Sequence, residues 1–460
     1  MTVVNSGARA PFAVRAALVG LGAALVALAC AADALLSGAP GFGPQQAIVL
    51  ALGIGVAAVS VLPVRILANL ALVAAALGFT LVAAEIGLRI VVGPRLAMIY
   101  KLDPRYVHAM IPGSSRVVTR LAANGGGSNR VEVNSRGFRG EELLPAGTRP
   151  RVVVYGDSFI AGEYSPLEKT FVQQLGAQLG AALGTPVEAV NAGVVAYGLD
   201  QVSLRMEDEL DWLAPDLVIV SVFADNDFGD LIRNKLFTLA PDGALVASKF
   251  SIAPALESRF WLEGHSPYLY RAVEKLLAGL FFKPLAPVEQ IEQDLADCRQ
   301  EWHEYAVEKD YVVRTRMIGH YDADVSLDPE SDSARFKVRL MDGVLGRIAA
   351  RASEHRVPLL LMIVPSPVDA VEGYALGQID ARRHPAYRRT TLTDAVSTAA
   401  ARHGIPTVNL MKTFQTHDAS TLYFHAGDNH WNDAGQALAA QTVANAVVSQ
   451  RLMHAQSHAE

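Results

Sequence analysis

The tightest constraint on how this chain can fold is the stretch Arg151-Val-Val-Val-Tyr-Gly-Asp-Ser-Phe159. Four residues of high β propensity, Val152 to Tyr155, end abruptly at Gly156. A short apolar run cut off by glycine reads as a buried parallel strand that delivers a polar side chain at its carboxyl end. Open α/β sheets carry their chemistry at that end. Ser158 is therefore a candidate nucleophile. The tripeptide 156–158 by itself reads equally well as a turn with an incidental serine, so the rest of the chain has to decide between the two.

Downstream the chain alternates. A helical stripe from Pro166 to Leu183 is closed by Gly184, and Val187 to Val190 makes a second strand ending at Asn191-Ala-Gly-Val-Val-Ala-Tyr-Gly198. A helix from about Asp200 to Leu213 leads to a third strand, Asp216 to Phe223, which ends at Ala224-Asp-Asn-Asp227. Residues 228–333 break the rhythm as an insertion, with a hairpin turn at Asp242-Gly243, a charged helix from Gln290 to Glu308, and aromatics at Phe260, Trp261, Tyr268, Tyr270, Trp302 and Tyr305. Most of these aromatics read as core of the insertion, and a minority could line a sugar platform. The pattern resumes with a helix from Arg335 to Glu354, a strand from Val357 to Val364, a helix from about Ala386 to His403 and a strand from Pro406 to Leu410. The block Gly427-Asp-Asn-His-Trp-Asn-Asp-Ala-Gly435 opens a last helix. Strands alternating with helices give an α/β fold with a five-stranded parallel sheet.

Ahead of this domain lie three charge-free runs, Ala16–Ala32, Ala47–Val64 and Ile66–Ala84, each near the roughly 20 residues that cross a bilayer. With 51% hydrophobic residues and a mean hydropathy of +0.23, the composition also points to membrane segments. The expected organisation is a membrane anchor of three transmembrane helices over 1–92, a connector over 93–150, and a catalytic domain over 151–460. Arg9, Arg15 and Arg65 against an Asp33–Gln46 loop free of Lys and Arg put the N-terminus in the cytoplasm and everything after Val92 outside. The expected location is the bacterial cytoplasmic membrane, multi-pass, with the catalytic domain on the periplasmic side. Within the connector, Asn124-Gly-Gly-Gly-Ser-Asn129 reads as a flexible loop tip, and Arg136 and Arg139 read as solvated or structural. A formal net charge of −6 argues against a nucleic-acid partner. Cys30 and Cys298 lie in unlike contexts and are not expected to pair.

A serine hydroxyl needs a base to become a nucleophile. His430 is the candidate base, and Asp428, two residues before it, is placed to orient the imidazole. Asn226 can offer its side-chain amide to an oxyanion, with backbone N–H groups of Ser158 and of the turn after the second strand supplying the rest. A competing reading takes His425, Asp428 and His430 as metal ligands, but no second cluster completes such a site, so no metal or cofactor is expected. His265, His303 and His320 read as ordinary polar residues, and Asp225 and Asp227 as caps of the following turn.

These blocks resemble the signature of the SGNH (GDSL-type) hydrolases over about 151–451, the insertion excluded. Gly156-Asp157-Ser158 matches the first block, Ala224-Asp-Asn226-Asp227 the third, and Asp428-x-His430 the last. The resemblance implies a three-layer α/β/α fold, a Ser158–His430–Asp428 triad, and an oxyanion hole of Ser158, Ala196 and Asn226. Two departures stand out. Ala196 occupies the place of the usual oxyanion glycine, and the Asp-x-His-Trp spacing resembles alginate O-acetylation proteins of the same superfamily. The 131–140 stretch resembles membrane-anchored members from bacterial polysaccharide clusters. The implied function is an extracytoplasmic serine esterase removing acetyl groups from a carbohydrate polymer, with polysaccharide biosynthesis machinery as a partner. An O-acetyltransferase using the same residues ranks close behind, and a non-catalytic assembly protein is the third reading. Sequence ranks hydrolysis slightly ahead of transfer, because water alone completes it and no acyl-donor module is visible.

Overall fold

The computed structural model describes residues 12–36, 44–281, 284–307, 311–312 and 319–453. The chain forms two compact units, Met1–Ile90 and Val91–Glu460. In the first, helix Phe12–Leu36 packs against helix Pro44–Val59 at Gly22 and Gly53. A Cβ on Gly22 would stand 2.6 Å from the Gly53 carbonyl oxygen, so only glycine lets the two backbones come this close. Helix Val64–Leu96 comes next. Phe12–Ala31 and Val64–Leu96 are long and apolar enough to cross a membrane, whereas Gln46–Val59, expected as a third span, is apolar but shorter. Arg9, on which the expected orientation partly depends, lies outside the described residues, as does most of the Asp33–Gln46 loop.

The second unit is built on a five-stranded parallel sheet: β1 (Arg151–Gly156), β2 (Glu188–Gly193), β3 (Leu217–Ala224), β4 (Leu359–Pro365) and β5 (Thr407–Asn409). Their spatial order is β5-β4-β3-β1-β2. In this order the direction of winding reverses at β1, so a crevice opens at the carboxyl ends of β1 and β3. Every residue of β1 and β3 is buried, as expected for parallel strands covered on both faces. Val153 and Tyr155 face one core with helices Leu199–Leu213, Asp332–Glu354 and Thr391–Arg402. Val152 and Val154 face the other with helices Phe171–Leu183 and Asp433–Ser449. Each buried Val or Leu in these layers contributes about 1.5–3 kcal/mol. The three-layer α/β/α sandwich with five parallel strands is as expected from sequence.

The differences are local. Helix Thr391–Arg402 starts later than expected, because Pro385 and the turns around it cannot continue a helix. Asp242-Gly243 does turn a hairpin, between Phe237–Leu239 and Leu245–Ala247. Trp302 and Tyr305 stack on each other and against Phe336, while Trp261 and Tyr270 are exposed. The stretch 93–150, read as a connector, folds into two antiparallel hairpins, Tyr100–Asp103 with Val107–Met110 and Ser115–Thr119 with Ser128–Glu132. Ile99, Tyr100, Val107, Met110, Val131 and Phe138 lie in the same core as the sheet. Alternate residues of these short strands are polar, so their burial was not visible as a run.

Candidate active site

At the end of β1 the chain turns at Asp157, whose Oδ1 accepts the Phe159 N–H at 2.9 Å and so caps the short helix Ser158–Ala161. Ser158 is thereby lifted to the first helical position and left half-buried. The neighbouring strand end has to pass very close. A Cβ on Gly193 would lie 2.3 Å from the Ala161 nitrogen, which leaves glycine as the residue that fits. Asn191 fixes the same contact, donating to the Ile160 carbonyl at 2.8 Å and accepting the Gly193 N–H at 3.1 Å.

His430 comes from the far end of the chain. Its loop is held by a bridge between Tyr423 and Trp431, by the Phe424 N–H on the His430 carbonyl at 2.9 Å, and by Asn432, which caps helix Asp433–Ser449. Trp431 is buried against Phe159 and Phe171, and its Nε1 donates to the Phe159 carbonyl at 3.2 Å. This indole joins the base loop to the nucleophile helix. It does so by packing and does not line the crevice.

The sequence-derived trio converges. His430 Nε2 lies 2.6 Å from Ser158 Oγ, and His430 Nδ1 lies 2.6 Å from Asp428 Oδ1, which also accepts the His430 N–H at 2.8 Å. Phe159 stacks on the imidazole at 4.8 Å between ring centroids. Burial opposes charge on His430, but the Asp428 hydrogen bond and charge outweigh it and carry the pKa above the ordinary histidine value. Burial likewise works against the Asp428 carboxylate, and the imidazole keeps its pKa below the usual value. Asp157, buried beneath the turn, is pushed up to about 6 by desolvation, against the pull of His430.

The expected oxyanion donors occupy the same end of the sheet. Asn226 follows β3 as the residue before helix Asp227–Asn234, and its buried Oδ1 has no hydrogen-bond partner among the described residues. Ala196 sits in the turn after β2 with φ of 61°, the left-handed region in which glycine is at ease. No backbone carbonyl among the described residues accepts the N–H of Ser158 or of Ala196. Asp225 accepts from Ser366 Oγ at 2.5 Å and Asp227 from the Phe223 N–H at 2.8 Å, so both carboxylates support the turn that presents Asn226.

Several residues escaped the sequence reading. Tyr164 lies over the pair, its ring 5.7 Å from His430 and its hydroxyl pushed upward in pKa by burial and by Asp428. Glu163, before it, is held by the Tyr100 hydroxyl at 2.6 Å and by Arg116. Arg139, which the sequence reading gave as solvated or structural, is buried and donates to the Ala161 and Ser165 carbonyls. Asn124, from the glycine-rich loop tip, accepts the N–H groups of His425 and Ala426 at 3.0 and 3.1 Å and donates to the Ala426 carbonyl at 2.8 Å. It thus holds the loop that leads into Asp428.

The metal reading of His425 with Asp428 and His430 has no geometric support, since His425 is exposed while the other two face each other. Among the described residues, the converging set of metal-type ligands is Cys298, Asp322 and Asp324. Lys337 already places its ammonium 3.2 Å from Asp322 and 2.9 Å from Asp324 there. His320 belongs to this buried network through Glu301 at 3.2 Å.

No curated protein matches the chain. Among solved structures the chain is similar to a lipase/acylhydrolase from Enterococcus faecalis, with 13% identity, 67% of this chain and 99% of that chain covered, and a TM-score of 0.34. It is also similar to the acetyl xylan esterase AlAXEase, with 13% identity, coverage of 65% and 99%, and a TM-score of 0.33. A two-domain esterase active on acetylated mannans gives 11% identity, coverage of 68% and 52%, and a TM-score of 0.33. Residues 323–460, which contain Asp428 and His430, match the family described as the SGNH hydrolase-like domain of the acetyltransferase AlgX. That part of the chain is similar to an SGNH hydrolase-like domain, a similarity that supports an ester-acting hydrolase or acyltransferase.

Proposed function

We propose that the protein is a membrane-anchored, extracytoplasmic O-acetyltransferase that carries an acetyl group on Ser158 and passes it to a carbohydrate hydroxyl. The observation that carries the acyl-enzyme is the hydrogen-bonded line from Ser158 Oγ through His430 to Asp428. In this reading His430 Nε2 takes the Ser158 proton as Oγ attacks the ester carbonyl. The oxyanion is held by the N–H groups of Ser158 and Ala196 and by the Asn226 amide. His430 then returns the proton to the departing alkoxide, leaving acetyl-Ser158. The acceptor hydroxyl gives its proton to the same imidazole, attacks the acyl carbonyl, and Ser158 is released with its proton restored.

Sequence alone tilts the balance to hydrolysis, and the match of residues 323–460 to an acetyltransferase family turns it toward transfer. Trp431 lends transfer no support, because it is buried beneath the base. Hydrolysis remains the second reading, favoured by the partial exposure of Ser158 and His430. Anchoring rests on the two helices long enough to cross a membrane, and the extracytoplasmic side of the proposal requires the shorter apolar helix Gln46–Val59 to cross as well.

The test combines labelling and partition. A fluorophosphonate should modify Ser158 in one sample of the full chain, and an activated acetyl ester is supplied to a separate, unlabelled sample with and without oligosaccharide acceptors. Acetylated oligosaccharide forming faster than free acetate supports transfer. Free acetate alone supports the esterase reading. Absence of label on Ser158 removes the acyl-enzyme altogether.

A further inference from the structure

The insertion returns to the sheet beside the turn that follows β3. Asp322 gives its N–H to the Asp225 carbonyl at 2.5 Å, and its Oδ2 accepts the N–H groups of Phe228 and Gly229 at 2.9 and 3.1 Å. Buried His320 reaches Glu301, on the insertion helix Pro287–Val307, at 3.2 Å. Glu301 also binds Arg233 at 3.2 Å, and Arg233 belongs to the helix that Asn226 precedes. Residues 320 and 322 are thereby fixed against the Asn226 turn. Gly319, just ahead of them, is exposed.

The surroundings of Gly319 differ from those of the other glycines at this end of the sheet. A Cβ on Gly156 would stand 2.6 Å from Ile160 Cγ1, and one on Gly193 would stand 2.3 Å from the Ala161 nitrogen. Packing demands glycine at both. A Cβ on Gly319 would stand 3.4 Å from Asn226 Nδ2, an ordinary van der Waals distance. Its chain neighbours apart, no other atom of the described residues lies within 4 Å of that position. Packing therefore does not demand glycine at 319. What a glycine does there is leave space along the Asn226 amide.

The proposed chemistry says what that space would receive. Ser158 Oγ holds the tetrahedral carbon, the oxyanion faces the Asn226 amide, and the departing or accepting oxygen lies at His430 Nε2 to exchange its proton. The acyl chain takes the remaining direction, beside the oxyanion and away from the imidazole. The space at 319 borders the amide, with no His430 atom within 4 Å of it. We propose, resting on the acyl-enzyme reading with Asn226 as oxyanion donor, that Gly319 is the specificity-determining position for the acyl group. Its missing side chain leaves room for the chain of the transferred acyl group and admits chains longer than acetyl. A carbon added to residue 319 then takes the place of a carbon on the substrate.

The test measures kcat/KM of the full chain on p-nitrophenyl acetate, propionate and butyrate, so that the acyl chain alone varies. Gly319→Ala is expected to lower the butyrate-to-acetate ratio by about tenfold or more, the usual worth of a methylene in an apolar pocket, with acetate changed only a few-fold. Gly319→Val should extend the loss to propionate. An unchanged ratio overturns the proposal, and so does an equal loss on all the esters, which would place the side chain on the oxyanion itself. A parent that turns over acetate alone overturns it as well. So does a large drop in the thermal midpoint of Gly319→Ala, since packing would then fill the space. Fluorophosphonate labelling separates these outcomes from failure of the underlying reading. Label on Ser158 of the parent keeps the acyl-enzyme whatever the ratio does, and no label removes the acyl-enzyme and its acyl pocket together.

Discussion

Ser158 Oγ and His430 Nε2 lie 2.6 Å apart although 272 residues separate them in the chain. Two short loops bring them together, and both are fixed from behind by Trp431, which packs under Phe159 and donates to its carbonyl. The hydroxyl itself supports little of this packing, since Ser158 is partly exposed. Ser158→Ala should therefore abolish acyl transfer and hydrolysis while the thermal midpoint stays within a degree or two of the parent, about the range of a surface change. Calorimetry beside an ester assay checks both, and a large drop in midpoint would make the serine structural.

Asn226 carries a buried amide oxygen with no partner among the described residues, and it stands at the carboxyl end of β3 in the sheet whose β1 leads into Ser158. If its amide nitrogen holds the oxyanion, Asn226→Ala should lower kcat by roughly 10²–10³ with little change in KM, the usual cost of one such donor. A variant within a few-fold of the parent would take Asn226 out of that role.

These parts were legible because each is a short local pattern: Gly156-Asp-Ser158 and Ala224-Asp-Asn226 at strand ends, and Asp428-Asn-His430 just ahead of a helix. Their surroundings were not. Asn124 reads as part of a glycine-rich loop tip, yet it makes three hydrogen bonds to the loop ahead of Asp428, a relation no local pattern carries. Arg139, read as solvated or structural, is buried, and Glu163 and Arg116, to which no local pattern draws notice, are buried and partly buried. Their pairing depends on hairpins whose alternate residues are polar. Ala196 was legible as a departure from glycine, and its left-handed φ shows what the departure costs the backbone.

Asn124→Ala tests the reach of that loop contact. Three hydrogen bonds, each worth about 1 kcal/mol, hold residues 425 and 426. Their loss should lower kcat several-fold by loosening Asp428 and His430, with KM and the core fold little changed. Hydrogen exchange at 425–430 should rise in parallel, and unchanged exchange would show that the loop is held elsewhere.

If His430 is the base, as proposed, it sets the pH profile. The base must be neutral to accept the Ser158 proton, and Asp428 holds its pKa above the ordinary value of about 6.5. Activity should therefore rise with pH, with the acid limb centred above that value. Asp428→Asn removes both the charge and the correct acceptor for Nδ1–H. The limb should then move to lower pH and kcat fall by about 10⁴. An acid limb that stays in place in this variant would assign it to another group, of which Asp157, pushed up to about 6, is the nearest.

Behind Asn226 lies a set of buried charges. Asp322 Oδ2 accepts the N–H groups of Phe228 and Gly229 at 2.9 and 3.1 Å, so it caps the helix that begins just after Asn226. Its other oxygen, with Asp324, binds Lys337, whose ammonium is fully buried. Burial works against that charge, but the two carboxylates hold the Lys337 pKa above the ordinary value. Lys337→Met keeps the volume and removes the cation, leaving two carboxylates buried side by side. The expected cost is about 3–5 kcal/mol of stability in chemical denaturation, the range found when one partner of a buried pair is deleted. The helix cap should weaken with it, so kcat should fall further than Asn124→Ala produces. Adding Asp324→Asn removes the excess negative charge and should restore part of the stability. A loss below about 1 kcal/mol in the single variant would mean that the pair is solvated like a surface bridge, and Asp322 would then hold the helix after Asn226 without help from Lys337.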